Sequence, residues 1–194
     1  MKAYYFNQVM SIWIAIILLG SCSSLPFQGE GSKQESSKEP KMGPYVKQGR
    51  HAVHLVGAIT QDDKRFIEAL DGGVSSLQEG HEVVILFDGN SVPALRMHLK
   101  REKKTLLHDS GITGQERQAL AERLKVSLAD APSNYFEYVQ YLAKAGAKVF
   151  ANRNGVKQFG LAEEEIHPIA KLVPTGQISD ILDQSDFCYT VGRL

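Results

Sequence analysis

Ala147-Lys148-Val149-Phe150-Ala151-Asn152-Arg153-Asn154-Gly155 is a short apolar strand pattern that runs directly into a polar turn. Ahead of it, Pro132-Ser133 restarts a helix with Tyr135, Tyr138, Val139 and Leu142 facing inward, and Gly146 stands at the position where helices end in a left-handed residue. Helix, glycine, strand and turn in that order are the grammar of an α/β domain. In open α/β sheets ligands and chemistry gather just past the carboxyl ends of strands. The turn Asn152–Gly155 is therefore the first place to look for function. It contains no cysteine, histidine, serine or carboxylate.

Working outward, Glu82-Val83-Val84-Ile85-Leu86-Phe87 reads as a second strand that ends in Asp88-Gly89-Asn90. Ala52–Ile59 is a continuous apolar run of strand length, which suits a strand buried on both faces. Between the two, Thr60-Gln61-Asp62-Asp63 offers a helix start, and Phe66, Leu70, Val74 and Leu77 recur at helical spacing. Gly72-Gly73 inside this helix costs about 1 kcal/mol per glycine relative to alanine, so a close approach to the sheet or to a neighbouring subunit is expected there. Glu79-Gly80-His81 stops the helix. Strand, helix, strand at this spacing is a βαβ unit with a right-handed crossover.

Ser91–Pro132 is the least regular stretch. Val92–Met97 has the length of a short helical turn, and Thr113-Gly114-Gln115-Glu116 is a capping box that opens a helix carrying Ala119, Leu120 and Leu124 inward. Toward the carboxyl end, Glu163-Glu164-Glu165 is a short acidic segment. Lys171-Leu172-Val173-Pro174 reads as a strand, Thr175 caps a helix through Ile178, Ile181 and Leu182, and Phe187–Val191 is a last strand. Five strands interleaved with helices predict a three-layer α/β/α domain with a mainly parallel five-stranded sheet, spanning residues 50–194.

The amino terminus has a different composition. Met1-Lys2 precedes the apolar run Val9–Leu19, which is shorter than the roughly 18 residues that mark a membrane span and matches the central region of a signal peptide. It ends in Leu19-Gly20-Ser21-Cys22, which resembles the lipobox of bacterial lipoproteins. That resemblance implies a signal peptide over 1–21, cleavage before Cys22, thioether acylation of its thiol and acylation of the new terminus. The alternatives are a plain anchor or an ordinary signal peptide with a chance cysteine. Ser23 after Cys22 gives no inner-membrane retention signal, so the expected location is the cell envelope, with an outer membrane favoured over an inner one where both exist. Residues 22–49 are small, polar or charged and read as a flexible tether.

The 194 residues allow one ordinary domain plus this tail, and 43% hydrophobic residues are enough for a buried core. Net charge of zero points to no nucleic-acid partner. Gly57 and Gly89 each follow a strand, but neither belongs to a dinucleotide or Walker pattern. His51 and His54 fall on opposite faces of their strand, and His98, His108 and His167 lie on separate segments without ligand spacing, so no metal or cofactor is indicated. His108-Asp109-Ser110 reads as a turn, because consecutive side chains cannot assemble a catalytic triad. Cys188, on an apolar strand, is expected to be a small buried hydrophobe. Arg96, Lys100, Arg101, Lys103 and Lys104 form a basic patch that reads as a solvated face, the alternative being contact with anionic headgroups or an acidic partner.

Three groups of residues together resemble the DsrE/DsrF-like family of sulfur-relay proteins. They are Gln78–Val83 with Leu86–Gly89; Tyr141–Ala151; and Phe159–Leu161 with Glu163–Glu165, Gly176–Ile178 and Leu182. The resemblance covers most of residues 51–191, with Leu95–Ser127 longer than the usual connection. In active members a cysteine after the third strand carries persulfide sulfur; the matching position here is Asn152, and an amide cannot hold a persulfide. The family also implies homo-oligomers, trimers or hexamers, with the glycine-bearing helix and the Tyr135–Tyr141 helix as interfaces. The resulting expectation is a lipid-anchored module that binds a small molecule or a protein at a strand-end crevice. Gly57, Thr60, Asp88, Gly89, Asn90, Asn152, Asn154 and Gly155 form that crevice, and Cys22 is the lipidation site. The rival is a sulfur carrier or other enzyme that uses Cys188 or a site the sequence does not reveal.

Overall fold

The computed structural model of the protein describes residues 49–59, 64–98 and 102–192. The expected signal peptide, Cys22, most of the expected tether, the expected helix start at Thr60–Asp63, and Lys100 and Arg101 of the basic patch lie outside the described residues.

Five strands, β1 (Arg50–Leu55), β2 (Glu82–Phe87), β3 (Lys148–Asn152), β4 (Lys171–Val173) and β5 (Phe187–Val191), form one sheet in the order β4-β3-β2-β1-β5. Every pairing is parallel. The helices are α1 (Lys64–Gln78), α2 (Leu106–Asp109), α3 (Gly114–Leu124), α4 (Tyr135–Lys144), α5 (Arg153–Gln158) and α6 (Thr175–Asp183).

The topology decides which face each helix covers. The steps β1 to β2, β2 to β3 and β3 to β4 all move one way across the sheet, so right-handed crossovers place their helices on one side. The larger core lies on that side. Val53, Leu55, Val83, Ile85, Phe87, Val149 and Ala151 of the sheet meet Phe66, Leu70 and Val74 of α1, Leu120 and Leu124 of α3, Tyr138 and Leu142 of α4, and Val156 of α5. The last connection leaps back from β4 to β5 across the whole sheet and must place α6 on the opposite face. There Ile178 and Ile181 close on Ala52, Val84, Leu86 and Val173. The result is the three-layer α/β/α architecture, all-parallel rather than mainly parallel.

Several expectations shift by a few residues, each for a physical reason. β1 ends at Leu55 rather than Ile59, because the N–H groups of Val56 and Gly57 both converge on the Val191 carbonyl at 2.9 and 3.2 Å and the chain leaves the ladder. Val92–Met97 becomes a 3-10 turn over Gly89–Leu95. In α3, Leu120, Ala121 and Leu124 are buried while Ala119 is exposed, one residue out of the expected phase. Gly73 does lie close to the sheet: a Cβ there sits 3.6 Å from both Val53 and Val83, whereas Gly72 faces open space. Tyr135 and Tyr138 face inward as expected, at 2% and 0% exposed, and belong to the core. Of the basic patch, Arg96 is neutralised by Glu165 at 2.8 Å.

Candidate functional site

The direction of the chain picks out one place on the sheet. After β3 the chain turns to the α5 side, and after the neighbouring β4 it turns to the α6 side. Adjacent strands whose exits diverge leave a crevice between them, and that crevice is where ligands bind in open α/β sheets. Asn152 ends β3 and Thr175 follows β4, so these two residues flank it.

A polar network runs from this crevice along the carboxyl ends of four strands. Asn152 is 5% exposed, and its Nδ2 donates to Asp88 Oδ1 at 2.7 Å. Its Oδ1 accepts from the Asn154 N–H at 2.9 Å and from the Thr175 hydroxyl at 3.1 Å. Asn154 Nδ2 donates to Thr175 Oγ1 at 2.9 Å. Asp88 also accepts from the Gly89 N–H at 2.7 Å, and His54 Nε2 stands 3.3 Å from its second oxygen. Beneath it, buried Ser91 donates to the Leu55 carbonyl at 2.7 Å and accepts from the Asp88 N–H at 2.9 Å.

The expected turn Asn152–Gly155 is the first turn of α5, with Asn152 as its N-cap. Asparagine suits that position because its side chain takes up an otherwise unpaired helical N–H. Thr175, expected as a cap, is instead the first residue of α6, and its hydroxyl turns back to the two asparagines. Asn152 is thus spent on the protein itself. Its acceptor oxygen already holds two donors, and one amide hydrogen is committed to Asp88.

No protein-family model matches the chain, and no curated protein matches it in sequence. Among solved structures it is similar to one titled "Structure of Protein of Unknown Function MTH1491 from Methanobacterium thermoautotrophicum". The TM-score is 0.45 and the identity 14%, over 74% of this chain and 99% of that one.

Of the residues expected in the crevice, Asp88, Asn152 and Asn154 come together through hydrogen bonds. Gly89 and Asn90 begin the 3-10 turn that Asp88 caps, with Asn90 exposed. Thr60 lies outside the described residues. Gly57 and Gly155 serve packing instead. Gly57 lies backbone to backbone with Gly192, and a Cβ on Gly155 would meet Val92 at 2.9 Å. His54 and Thr175 belong to the network although neither was expected there. The register that sets His54 beside Leu86, two residues before Asp88, is a three-dimensional fact with no local sequence signal.

Cys188 corrects a second expectation. It is exposed, because β5 is an outer strand whose α6-side face is left uncovered at that position. It pairs in register with Ala52, toward the amino half of the sheet, and so stands apart from the crevice; its Sγ lies 3.6 Å from Thr190 Oγ1. Two cavities also lie at the amino end. One of about 450 Å³ is lined by Arg50, Glu82, Lys148, Phe150, Asp180 and Ile181. The other, of about 550 Å³, shares Arg50 and Glu82 and adds His81 and Asp186. Glu82 bridges Lys148 at 2.7 Å and Arg50 at 3.3 Å, and the Lys148 hydrogen bond, with that of Arg50, holds its carboxyl below the usual glutamate range. Among the described residues no group of three or more histidine, cysteine or acidic side chains is placed to hold a metal ion.

Proposed function

We propose that this protein is a lipid-anchored module with a DsrE-like domain that binds a small polar molecule or a protein segment and carries no sulfur. The observation behind this reading is the committed state of Asn152. At the position where the family resemblance expects a sulfur-bearing cysteine stands an amide whose oxygen and one hydrogen are engaged in capping α5 and tying β3 to Asp88 and Thr175. A thiol-free, hydrogen-bonded strand end favours recognition over covalent transfer. Asn154, Thr175 and His54 form the outer part of the network and are the residues through which a ligand is recognised. The Cys22 lipid anchor, the envelope location and a trimeric or hexameric assembly belong to the same reading, carried by the lipobox and the family resemblance.

A second reading is favoured by one observation: Cys188 is an exposed thiol. As a carrier it would take sulfane sulfur as a persulfide from a persulfide donor, whose own sulfur leaves as a thiolate, and pass it on. Persulfide labelling of the purified protein separates the two. We expect no stable loading in the wild type beyond that of Cys188→Ser. Loading that Cys188→Ser abolishes establishes the carrier and removes the first reading. Asn152→Cys supplies the complementary arm: a gain of loading at that position supports the family resemblance. For the anchor, Cys22→Ala is expected to release the protein from membranes and to lose the acyl mass. Unchanged membrane attachment and mass would overturn it.

A further inference from the structure

The two edges of the sheet are built differently. β4 is three residues long, begins with Lys171 and is followed by Pro174; shortness, lysine and proline are the devices that blunt an edge against pairing. β5 is Phe187-Cys188-Tyr189-Thr190-Val191, five residues with no charge and no proline. Among the described residues it pairs on one side only, with β1. The Val191 carbonyl accepts from the Val56 N–H, so strand alternation turns the backbone groups of Cys188 and Thr190 toward the open side. Phe187 and Tyr189, on the α1 side of the strand, are 55% and 37% exposed. An open, uncharged edge with two exposed aromatic rings is a template for another strand.

We infer that β5 is a dimerisation edge, on which a second copy of this chain docks its own β5 antiparallel about a two-fold axis at Cys188. The occupant follows from the strand itself. A segment without charge lies against its own copy with no like charges opposed, and a two-fold axis requires such a self-complementary surface. The register follows from the aromatic rings. With Cys188 opposite Cys188, Phe187 of each copy stands opposite Tyr189 of the other, so the two exposed rings pair twice. Moving the axis to Thr190 sets Tyr189 against Val191, which is 6% exposed and already spent on the core, and leaves Phe187 without a partner. The chosen register also makes Cys188 a pair that shares both backbone hydrogen bonds, with Cα atoms about 5.5 Å apart, inside the span that a disulfide bridges. A five-residue edge falls below the ~1,200 Å² of a standard interface, so the dimer is a weak one that dissociates at micromolar concentrations. A two-fold contact of this kind also fits a hexamer, but does not by itself make a trimer.

The test uses the full chain in detergent, measured by sedimentation equilibrium across a concentration series and by oxidation with diamide, which takes two hydrogens from two thiols. We expect reversible dimerisation in the wild type and a covalent Cys188–Cys188 dimer on oxidation. Tyr189→Lys and Phe187→Lys, with unchanged circular dichroism, are expected to weaken dimerisation at least tenfold and to suppress the cross-link. A wild-type monomer over the whole series overturns the inference, as does an oligomer that both lysine variants leave intact. A Cys22–Cys188 bond within one chain would place the amino-terminal segment on this edge and would likewise overturn it. The outcome is independent of whether a ligand occupies the crevice.

Discussion

Gly192 holds φ at +101°, and a Cβ there would run into the backbone of Gly57. That contact closes the junction between the ends of β1 and β5, where Val56 and Gly57 share the Val191 carbonyl. Gly192→Ala is expected to destabilise the domain by about 1–3 kcal/mol, the range for a residue held in a disfavoured backbone region, read from the urea midpoint. Gly72 is the opposite case, since nothing lies within 4 Å of a Cβ placed there. Gly72→Ala is expected to stabilise by up to about 1 kcal/mol, through helix propensity alone. The sequence ranked these glycines differently, singling out Gly57 as a site residue and treating Gly72 and Gly73 as equals. What separates them is the partner across space: Gly192 for Gly57, Val53 and Val83 for Gly73, open solvent for Gly72. Cys188 was misjudged for the same reason. An apolar run reads alike in a central strand and in an outer one, and the order of strands decides which it is.

At the scale of elements, α1, α3 and α4 are tied by a polar chain at the margin of an apolar layer. The hydroxyl of fully buried Tyr138 on α4 donates to Asp71 of α1 at 2.6 Å, and Asp71 pairs with Arg123 of α3. Burial pushes the Tyr138 phenol well above its ordinary pKa, so it stays a donor at any working pH. Tyr138→Phe removes the donor and is expected to cost about 1.5–3 kcal/mol, the range for a hydrogen bond to a charged group, measured by thermal or urea unfolding. A second cluster sits beside it. The His108 ring stacks on Phe136 with centroids 3.8 Å apart, and His167 meets the same ring edge-on at 4.6 Å. The sequence kept these histidines apart because they lie on separate segments, and they meet through the Phe136 ring of α4, on which both pack. Burial is the main cause holding both imidazoles below the ordinary 6.5. Lys104 adds to it at His108, where Asp109, Glu137 and the Thr105 backbone oppose, while His108 and Lys103 add to it at His167. The unfolded chain therefore binds more protons than the folded one. The stability these groups contribute is fully present above 6.5 and is lost as pH falls from there toward their folded values. His51, also lowered, adds to the same window, whereas the lowered Glu82, Glu116 and Glu137 act at more acidic pH, below 4.5. Thermal midpoints are expected to fall between pH 7 and pH 5.5, with the NMR titrations of His108 and His167 centred below 6.5; ordinary titration of both rings would refute the assignment. β2 and β5 were legible residue for residue from their apolar runs. α5 was not, because Asn-Arg-Asn-Gly has the composition of a turn and Val156 is its one large inward residue.

For the whole molecule, the number of strands and the parallel sheet followed from the alternation of apolar runs with helical spacing, but the order β4-β3-β2-β1-β5 did not. No local pattern records that the last connection travels back across the sheet. That single reversal creates the crevice between β3 and β4, puts β5 on the outside, and, among the described residues, leaves one face of the sheet to α6 alone. The two layers are consequently unequal. On the α1 side α1, α3, α4 and α5 share a large core, while α6 is held by Ile178 and Ile181 over Ala52, Val84, Leu86 and Val173, with Phe150 and Leu182 at the margin. Local stability follows the apolar contacts an element would lose on opening. Backbone amides of α6 are therefore expected to exchange hydrogen through an opening well below the global unfolding free energy, ahead of those in α1, α4 and β2. Ile178, 2% exposed, is the main anchor. Ile178→Ala is expected to cost about 2–5 kcal/mol and to accelerate exchange over Thr175–Asp183 before it does so elsewhere. Because Thr175 belongs to α6, the same variant is expected to loosen the Asn152–Thr175–Asn154 contacts and so to open the crevice. Equal protection of α6 and α4 would show instead that the α6 layer opens only with the whole domain, and that the crevice between β3 and β4 is as rigid as the core.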